Sequence, residues 1–171
     1  LFKKYRNASD YAKAELNVFQ EEIRSTGFYK NKAKNIIACC KELADRYNGD
    51  VPSDIEELTR LPGVGRKTAN VVLGNAFGIP AVVVDTHVKR LSYRLGLTKN
   101  TKPEKIEYDI IEIIPRREWI QFSNALIYHG RKICNARNPK CDVCILRDFC
   151  PKVGVKYHKG SEGQKKKNKD L

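Results

Sequence analysis

The stretch of sequence that decides the fold is Leu61-Pro62-Gly63-Val64-Gly65-Arg66-Lys67-Thr68-Ala69. A helical pattern runs into this stretch and an apolar helical pattern resumes after it, which predicts a tight turn between two helices. Two glycines in the turn allow the backbone to approach a ligand closely. Because the second helix begins at once, its free N–H groups and the positive end of its dipole favour a phosphate at the turn.

An ordinary helix–helix connection with a glycine cap is the alternative interpretation of such a turn. The basic pair Arg66 and Lys67 at the phosphate-facing end favours a helix-hairpin-helix instead. A hairpin of this kind contacts backbone phosphates, so it binds DNA without reading its sequence. The predicted DNA contacts of the hairpin are Gly63, Val64, Gly65 and Arg66.

The charge of the chain also favours a nucleic-acid partner. The 171 residues include 33 Lys and Arg against 20 Asp and Glu, which gives a net charge of +13. A basic excess of this size favours a polyanion, and nucleic acid is the commonest soluble one. The longest apolar runs are only a few residues, so the sequence predicts neither a membrane span nor a signal peptide. We therefore expect a cytoplasmic protein in a reducing compartment, without a membrane partner.

Helical spacing of apolar residues dominates the pattern. Residues 29–47 form one amphipathic helix that should stop near Gly49. The run from Ala81 to Val84 is the only strand candidate, and no hairpin signal accompanies it. The sequence therefore predicts an all-α fold, followed from residue 153 to 171 by a basic, disordered tail.

Three further sequence features predict where helices begin or end. Ser53 with Glu56, and Thr101 with Glu104, have the spacing of capping boxes and predict two helix starts. A helical stripe that runs from Trp119 to His129 predicts another helix, ending at Gly130.

Four cysteines lie within seventeen residues near the C-terminus, separated by gaps of six, two and five residues. They are Cys134, Cys141, Cys144 and Cys150. Thiolates this dense bind metal or form disulfides, and a reducing compartment disfavours disulfides. Spacing alone favours an iron–sulfur cluster and leaves zinc open, because structural zinc usually shows two paired CxxC knuckles.

A basic loop lies between two of these cysteines, and two further cysteines lie elsewhere in the chain. The loop between Cys134 and Cys141 carries Arg137 and Lys140, which a metal-pinned loop would hold as rigid phosphate contacts. Cys39 and Cys40 lie on the predicted amphipathic helix and are interpreted as buried small hydrophobic residues rather than ligands.

The hairpin, the run Val84-Asp85-Thr86-His87 and the four-cysteine spacing occur in that order, and together they resemble the endonuclease III branch of the helix-hairpin-helix DNA glycosylases. The resemblance covers residues 1 to about 156. It implies two helical lobes with the DNA groove between them, a hairpin lobe at 1–80 and an iron–sulfur cluster lobe at 81–152. It also implies a [4Fe-4S] cluster on the four cysteines.

The implied activity is that of a bifunctional DNA glycosylase and AP lyase that acts on oxidised pyrimidines such as thymine glycol. The implied partner is double-stranded DNA with damaged or abasic sites, bound by a nucleoid-associated monomer. Lys67 and Asp85 are implied as the catalytic pair, one on each lobe. Rival interpretations are a mismatch uracil or thymine glycosylase of the same family and a non-catalytic DNA-binding protein. The lysine argues against the adenine glycosylases, which lack it.

The chemistry of the two residues suits these roles. Lys67 lies in the first helical turn beside Arg66, where the helix dipole and the like charge disfavour its ammonium form. A neutral amine could attack C1′ of the sugar and form a Schiff base. Asp85 precedes a helical stretch, so an N-cap is the simplest role for it, and an ionised carboxylate there could also stabilise positive charge at the sugar.

The family carries a further segment before the position of Leu1, including a glutamine that fills the space left by the extruded base. The sequence as given lacks this segment. We therefore expect an incomplete hairpin lobe and little glycosylase activity, with residual cleavage at abasic sites.

Overall fold

A computed structural model of the chain describes residues 1–156. Within this range the only regular elements are helices, which confirms the all-α fold. Three short 3-10 turns occur at Arg24–Thr26, Arg116–Glu118 and Cys141–Val143. The α-helices are α1 (Ala8–Ala12), α2 (Leu16–Glu22), α3 (Tyr29–Arg46), α4 (Ile55–Arg60), α5 (Arg66–Ala76), α6 (Thr86–Arg94), α7 (Pro103–Ile113) and α8 (Trp119–Lys132).

The chain divides into two compact units, Leu1–Ile79 and Pro80–Leu171. In the first unit, α1 and α2 pack on α3 around a core that includes the fully buried Phe19 and Ala33. The predicted helix at 29–47 is confirmed as α3. It ends at Arg46, close to the expected Gly49, whose φ of +87° suits a glycine and whose N–H donates to the Leu43 carbonyl at 2.8 Å.

The hairpin of the first unit joins α4 to α5. Asp54, not Ser53, is the N-cap of α4, and its carboxylate accepts the N–H groups of Glu56 and Glu57 at 2.8 and 3.0 Å. The predicted capping box was therefore wrong by one residue, because a carboxylate at the next position serves the same two donors. The turn closes when the Val64 N–H donates to the Leu61 carbonyl at 3.0 Å.

Gly63 is required in this turn for two reasons. Its φ is +75°, a conformation that side chains disfavour, and a Cβ built there would lie 2.6 Å from the Asn35 Cβ on α3. The hairpin thus lies with its backbone directly against α3. Gly65 has φ −88°, and a Cβ there would meet nothing within 4 Å.

The core of the second unit lies between α6, α7 and α8. Its buried members are Val82, Val84, Val88, Leu91, Ile106, Ile110 and Leu126. The run from Ala81 to Val84 is fully buried yet forms no strand. Instead the Val83 N–H donates to the Ser123 hydroxyl on α8 at 3.0 Å, so a side chain supplies the acceptor that a neighbouring strand would provide.

Two predicted helix ends in the second unit were wrong. The Thr101 capping box is not formed, since α7 begins with Pro103 after Lys102 and no side chain caps it. Gly130 does not end α8 but lies buried within it. A Cβ on Gly130 would lie 2.9 Å from the Cβ of His87 on α6, so the glycine permits close packing of two helices.

The described part of the C-terminal segment packs on the second unit. The Val153 N–H donates to the Arg94 carbonyl at 3.1 Å, so residues 153–156 belong to this unit. The disorder predicted for the remaining tail concerns residues that lie outside the described range. None of the described helices is long and apolar enough to cross a membrane.

The hairpin geometry yields a stability prediction. Gly63→Ala should lower the free energy of unfolding by about 1–3 kcal/mol, because the new methyl group requires both a left-handed backbone and displacement of Asn35. The matched Gly65→Ala change should be nearly neutral in the same chemical-denaturation measurement. Equal stability of the two variants would contradict this description of the turn.

Candidate DNA-binding and metal-cluster sites

The N-terminus of α5 presents backbone N–H groups and an exposed lysine amine. Gly65 is the N-cap residue, and no side chain caps this helix. The first N–H groups of a helix lack partners within it, so they are available to an anion. Lys67 is exposed and makes no hydrogen bond or ion pair with any described residue. The hairpin can therefore bind phosphate while the Lys67 amine stays accessible.

Asp85 occupies the N-cap of α6, as its position predicts. Its Oδ1 accepts the N–H groups of His87 and Val88, both at 2.8 Å. Its Oδ2 accepts no hydrogen bond from any described residue. One oxygen thus fixes the carboxylate, and the other remains available for chemistry.

Phe28 is a candidate contact that sequence reasoning missed. It begins α3 in a left-handed conformation with φ +49°, and its side chain is 90% exposed. Such backbone strain in a bulky residue is concentrated at functional sites. An exposed aromatic ring offers a stacking surface to a nucleic-acid base. The sequence feature that could have indicated Phe28 is the glycine, Gly27, directly before this aromatic residue.

The four predicted ligand cysteines lie around one cavity of the second unit. This cavity holds about 450 Å³ of unfilled space, including its mouth to solvent. In residues 1–156, no three His, Cys, Asp or Glu side chains are grouped as a single metal ion requires. The four thiols thus line one cavity, as the ligands of a common metal centre must.

Arg94 of α6 gives this cavity a buried positive charge. The residue is 7% exposed, and its guanidinium lies 3.2 Å from the Cys134 Sγ. It also donates to the carbonyls of Asn135 and Ala136 at 2.7 and 2.9 Å. No carboxylate in the described part of the chain pairs with it. A buried cation needs a counter-charge, and a cluster held by four thiolates supplies one. The residues present therefore fit an anionic metal–thiolate group.

Arg90, one turn earlier on α6, supports the same loop. It donates to the carbonyls of Gly130 and Cys134 at 2.9 and 3.0 Å. Burial, and secondarily the charge of Arg94, lower the pKa of Arg90 below its ordinary value. Sequence reasoning missed both arginines. The sequence feature that could have indicated them is a pair of cations one turn apart on a helix whose apolar residues Val88 and Leu91 lie in the core.

Cys39 and Cys40 behave differently from the four clustered cysteines. Both are partly buried on α3, in the first unit. Burial raises the pKa of the Cys39 thiol, and burial together with Cys39 raises the pKa of Cys40 to about 11. Both therefore remain protonated thiols near neutral pH, in agreement with their interpretation as small apolar residues.

In the loop between Cys134 and Cys141, a hydrogen bond fixes the backbone at one end, and the basic side chains are exposed. The Lys140 N–H donates to the Ile133 carbonyl at 3.0 Å. The Arg137 and Lys140 side chains are exposed and make no ion pair with any described residue. Both cations are thus available to an external anion.

Comparison with known proteins identifies the family. Residues 1–116 match the model of the HhH-GPD superfamily of base excision DNA repair proteins. Residues 134–150 match that of the iron–sulfur binding domain of endonuclease III. The chain belongs to the endonuclease III family. Endonuclease III of Synechocystis sp. is 53% identical over 152 residues, which is 88% of this chain and 69% of that protein. Endonuclease III of Bacillus subtilis is 42% identical over 172 residues, 100% of this chain and 74% of that protein.

Solved endonuclease III structures have the same fold. A non-covalent endonuclease III–DNA complex matches with a TM-score of 0.85 and 47% identity, over 88% of this chain and 71% of that chain. A trapped covalent endonuclease III–DNA intermediate matches to the same extent. A thermostable thymine-DNA glycosylase matches with a TM-score of 0.74 and 26% identity, over the same shares of the two chains.

Membership of the endonuclease III family confirms the predicted cofactor, a [4Fe-4S] cluster. Its assignment to Cys134, Cys141, Cys144 and Cys150 remains a proposal, supported by the shared cavity and by the buried guanidinium of Arg94.

Metal analysis tests this ligand assignment. The purified protein should contain about four irons per chain and absorb in the visible range, because thiolate-to-iron charge transfer accompanies such a cluster. Cys144→Ser should lose most of the iron. Cys40→Ser, which changes a partly buried protonated thiol, should retain all of it. Stoichiometric zinc without iron, or full iron in Cys144→Ser, would show that the assignment is wrong.

Proposed function

We propose that this chain acts in base excision DNA repair by removing oxidised pyrimidines, such as thymine glycol, and then nicking the abasic site. The observation that carries the proposal is the exposed Lys67 amine, which has no hydrogen-bond or ion-pair partner within residues 1–156, at the N-terminus of a hairpin helix that suits phosphate. Membership of the endonuclease III family supports the same activity.

Lys67 is the proposed nucleophile. Its neutral nitrogen forms a bond to C1′ of the damaged nucleotide while the N-glycosidic bond breaks, and the base leaves with a proton. Opening of the sugar ring gives a Schiff base between C1′ and the lysine nitrogen. Loss of a C2′ proton then breaks the C3′–O bond, and the strand on the 3′ side leaves with that oxygen as a 5′-phosphate end. Hydrolysis of the Schiff base restores the lysine.

Asp85 is the proposed electrostatic partner in this reaction. Because Oδ1 holds two backbone N–H groups, the carboxylate is fixed in place without cost at the moment of reaction. Oδ2 can stabilise the positive charge that develops at the sugar or accept a proton from the lysine ammonium. A fixed anion of this kind contributes most where charge develops in the transition state.

DNA is the partner of this family, and its finer recognition is part of the proposal. We propose duplexes with damaged or abasic sites as the ligand, bound by a monomer that associates with the nucleoid. The phosphate contacts would come from Gly63, Val64, Gly65 and Arg66, and from Arg137 and Lys140 of the cluster loop. Thymine or uracil mismatch repair is the second candidate activity, because a thymine-DNA glycosylase has the same fold at lower identity.

The proposed catalytic pair is tested by Schiff-base trapping. Lys67→Gln should abolish the borohydride-trapped adduct on abasic duplex, because the amide has no nucleophilic amine, while DNA affinity changes little. Asp85→Asn should slow turnover about a hundredfold, the typical effect of removing a positioned electrostatic group. Lys41→Gln, at an exposed position of α3, is the matched control and should trap like the parent. Parent-rate cleavage by Lys67→Gln would refute the mechanism.

The cluster loop is tested by the salt dependence of DNA binding. Arg137→Ala should lower the slope of log affinity against log salt by about one unit, because one fewer phosphate is neutralised. Arg137→Lys keeps the charge and should retain the parent slope. Unchanged affinity and slope in Arg137→Ala would remove this loop from the DNA interface.

A further inference from the structure

The cavity lined by the four clustered cysteines contains a cation shielded from water. Among the described residues that line it, Arg94 is the cation that is buried, with 7% of its surface exposed. Arg147 also lines the cavity, but 53% of its side chain is exposed and it pairs with Asp148 at 2.9 Å. Water and salt screen an exposed charge far more than a buried one. The charge of Arg94 therefore acts on a group bound in this cavity with little screening.

Fixed contacts hold this charge in place. The Arg94 guanidinium donates to the Cys134 Sγ at 3.2 Å and to the carbonyls of Asn135 and Ala136 at 2.7 and 2.9 Å. The main-chain carbonyl of Arg94 lies 3.6 Å from the Cys150 Sγ. Arg94 thus contacts both the first and the last of the four cysteines. Its guanidinium cannot turn away without losing three acceptors at once.

His129 of α8 makes the other side-chain contact that the structure shows with one of these sulfurs. Its Nε2 lies 3.4 Å from the Cys144 Sγ. An imidazole is mostly neutral near pH 7, and burial lowers the pKa of His129 below its ordinary value. A guanidinium, in contrast, is always protonated in proteins. Of the two groups that face sulfur, Arg94 therefore supplies the charge.

A fixed cation beside a ligand sulfur acts unequally on the two oxidation states of an iron–sulfur cluster. A cluster with four thiolate ligands becomes more negative by one unit when it gains an electron. Coulomb attraction grows with the charge of each partner, so the cation stabilises the reduced state more than the oxidised state. Hydrogen bonds to the sulfurs act in the same direction. The expected result is a higher reduction potential.

We propose that Arg94 sets the reduction potential of the cluster, through its fixed charge and its N–H···S bond to Cys134. This inference rests on the assignment of the cluster to the four cysteines, and it is independent of the proposed repair activity. Arg94 acts on the electron affinity of the cluster in this account, whereas Lys67 and Asp85 act on DNA.

The test measures the midpoint potential of the cluster-loaded protein by spectroelectrochemical titration. Arg94→Gln should shift the ratio of oxidised to reduced cluster at a fixed potential roughly tenfold toward the oxidised form, which is about 59 mV for a one-electron couple. Arg94→Lys keeps the charge and should stay within about threefold of the parent. Arg147→Gln is the matched control, because it removes the same charge from an exposed position of the same cavity. It should also stay within about threefold, since solvent screens that charge.

The two Arg94 variants separate electrostatics from a purely structural role. Neither glutamine nor lysine can reproduce the fork that binds Asn135, Ala136 and Cys134 together. A residue that only held the loop would therefore lower the melting temperature in both variants and leave the potential unchanged. Parent potential in an iron-loaded Arg94→Gln, or an equal shift in Arg94→Gln and Arg147→Gln, would overturn the proposal.

Pulsed EPR of the paramagnetic cluster tests the N–H···S contact without a glutamine variant. In protein grown on arginine labelled with nitrogen-15 in the guanidinium, the parent should show a weak nitrogen-15 coupling, because a donor hydrogen-bonded to a ligand sulfur shares its spin density. Arg94→Lys, which retains Arg90, should lose this coupling. Its absence from the parent, or its persistence in Arg94→Lys, would overturn the proposal. This comparison decides the matter if Arg94→Gln binds no iron.

The outcomes also separate this inference from the other two proposals. Stoichiometric zinc without iron in the parent would refute the ligand assignment, and this inference with it. An iron-loaded parent that forms no trapped adduct on abasic DNA would refute the proposed function alone. The potentials of the Arg94 variants would then still decide the role of this arginine, because the titration requires no DNA.

Discussion

The buried guanidinium of Arg94 and the partly buried guanidinium of Arg90 are the constraint on which the second unit depends. They extend from one face of α6 to the carbonyls of residues 130–136, and Arg94 also reaches the Cys134 sulfur. An arginine that is 7% exposed, with no carboxylate partner among the described residues, is costly unless another anion faces it. A cluster on the four proposed cysteine ligands would supply that anion. On this assignment, cluster binding and the packing of α6 are one interaction, which also holds the helix capped by Asp85.

The sequence predicted the parts of this molecule that local chemistry determines. The hairpin followed from two glycines between helical patterns. Cysteine spacing favoured an iron–sulfur cluster and left zinc open, and the [4Fe-4S] cluster itself followed from the resemblance to a family and was confirmed by membership of that family. The N-cap role of Asp85 was likewise visible, since a carboxylate before a helix serves the nearest free N–H groups.

Features that depend on contacts distant in sequence could not be predicted. Gly130 was interpreted as a helix end because glycine commonly ends helices, whereas its role depends on the approach of α6 from forty residues earlier. The capping box predicted at Ser53 was wrong for a different, local reason, because the neighbouring Asp54 accepts the hydrogen bonds of the same backbone donors. The partners of Arg90 and Arg94 lie about forty residues away, so nothing in their local sequence identified them.

The site combines two kinds of DNA contact with different physical consequences. Lysine and arginine contacts contribute affinity that falls with salt, and they do not depend on a fixed geometry. The N–H groups in the first turn of α5 would contribute neutral hydrogen bonds whose strength depends on position. A net charge of +13 supplies the first kind in excess. The second kind depends on Gly63, where a side chain would collide with Asn35 on α3.

The central claim is that the Lys67 amine is the nucleophile. The most direct measurement is mass-spectrometric mapping of the residue that carries the reduced adduct, after borohydride trapping on an abasic duplex and proteolysis. The account predicts that the adduct lies on the peptide that contains Lys67 and on the side-chain nitrogen of that residue. An adduct on another lysine would contradict it.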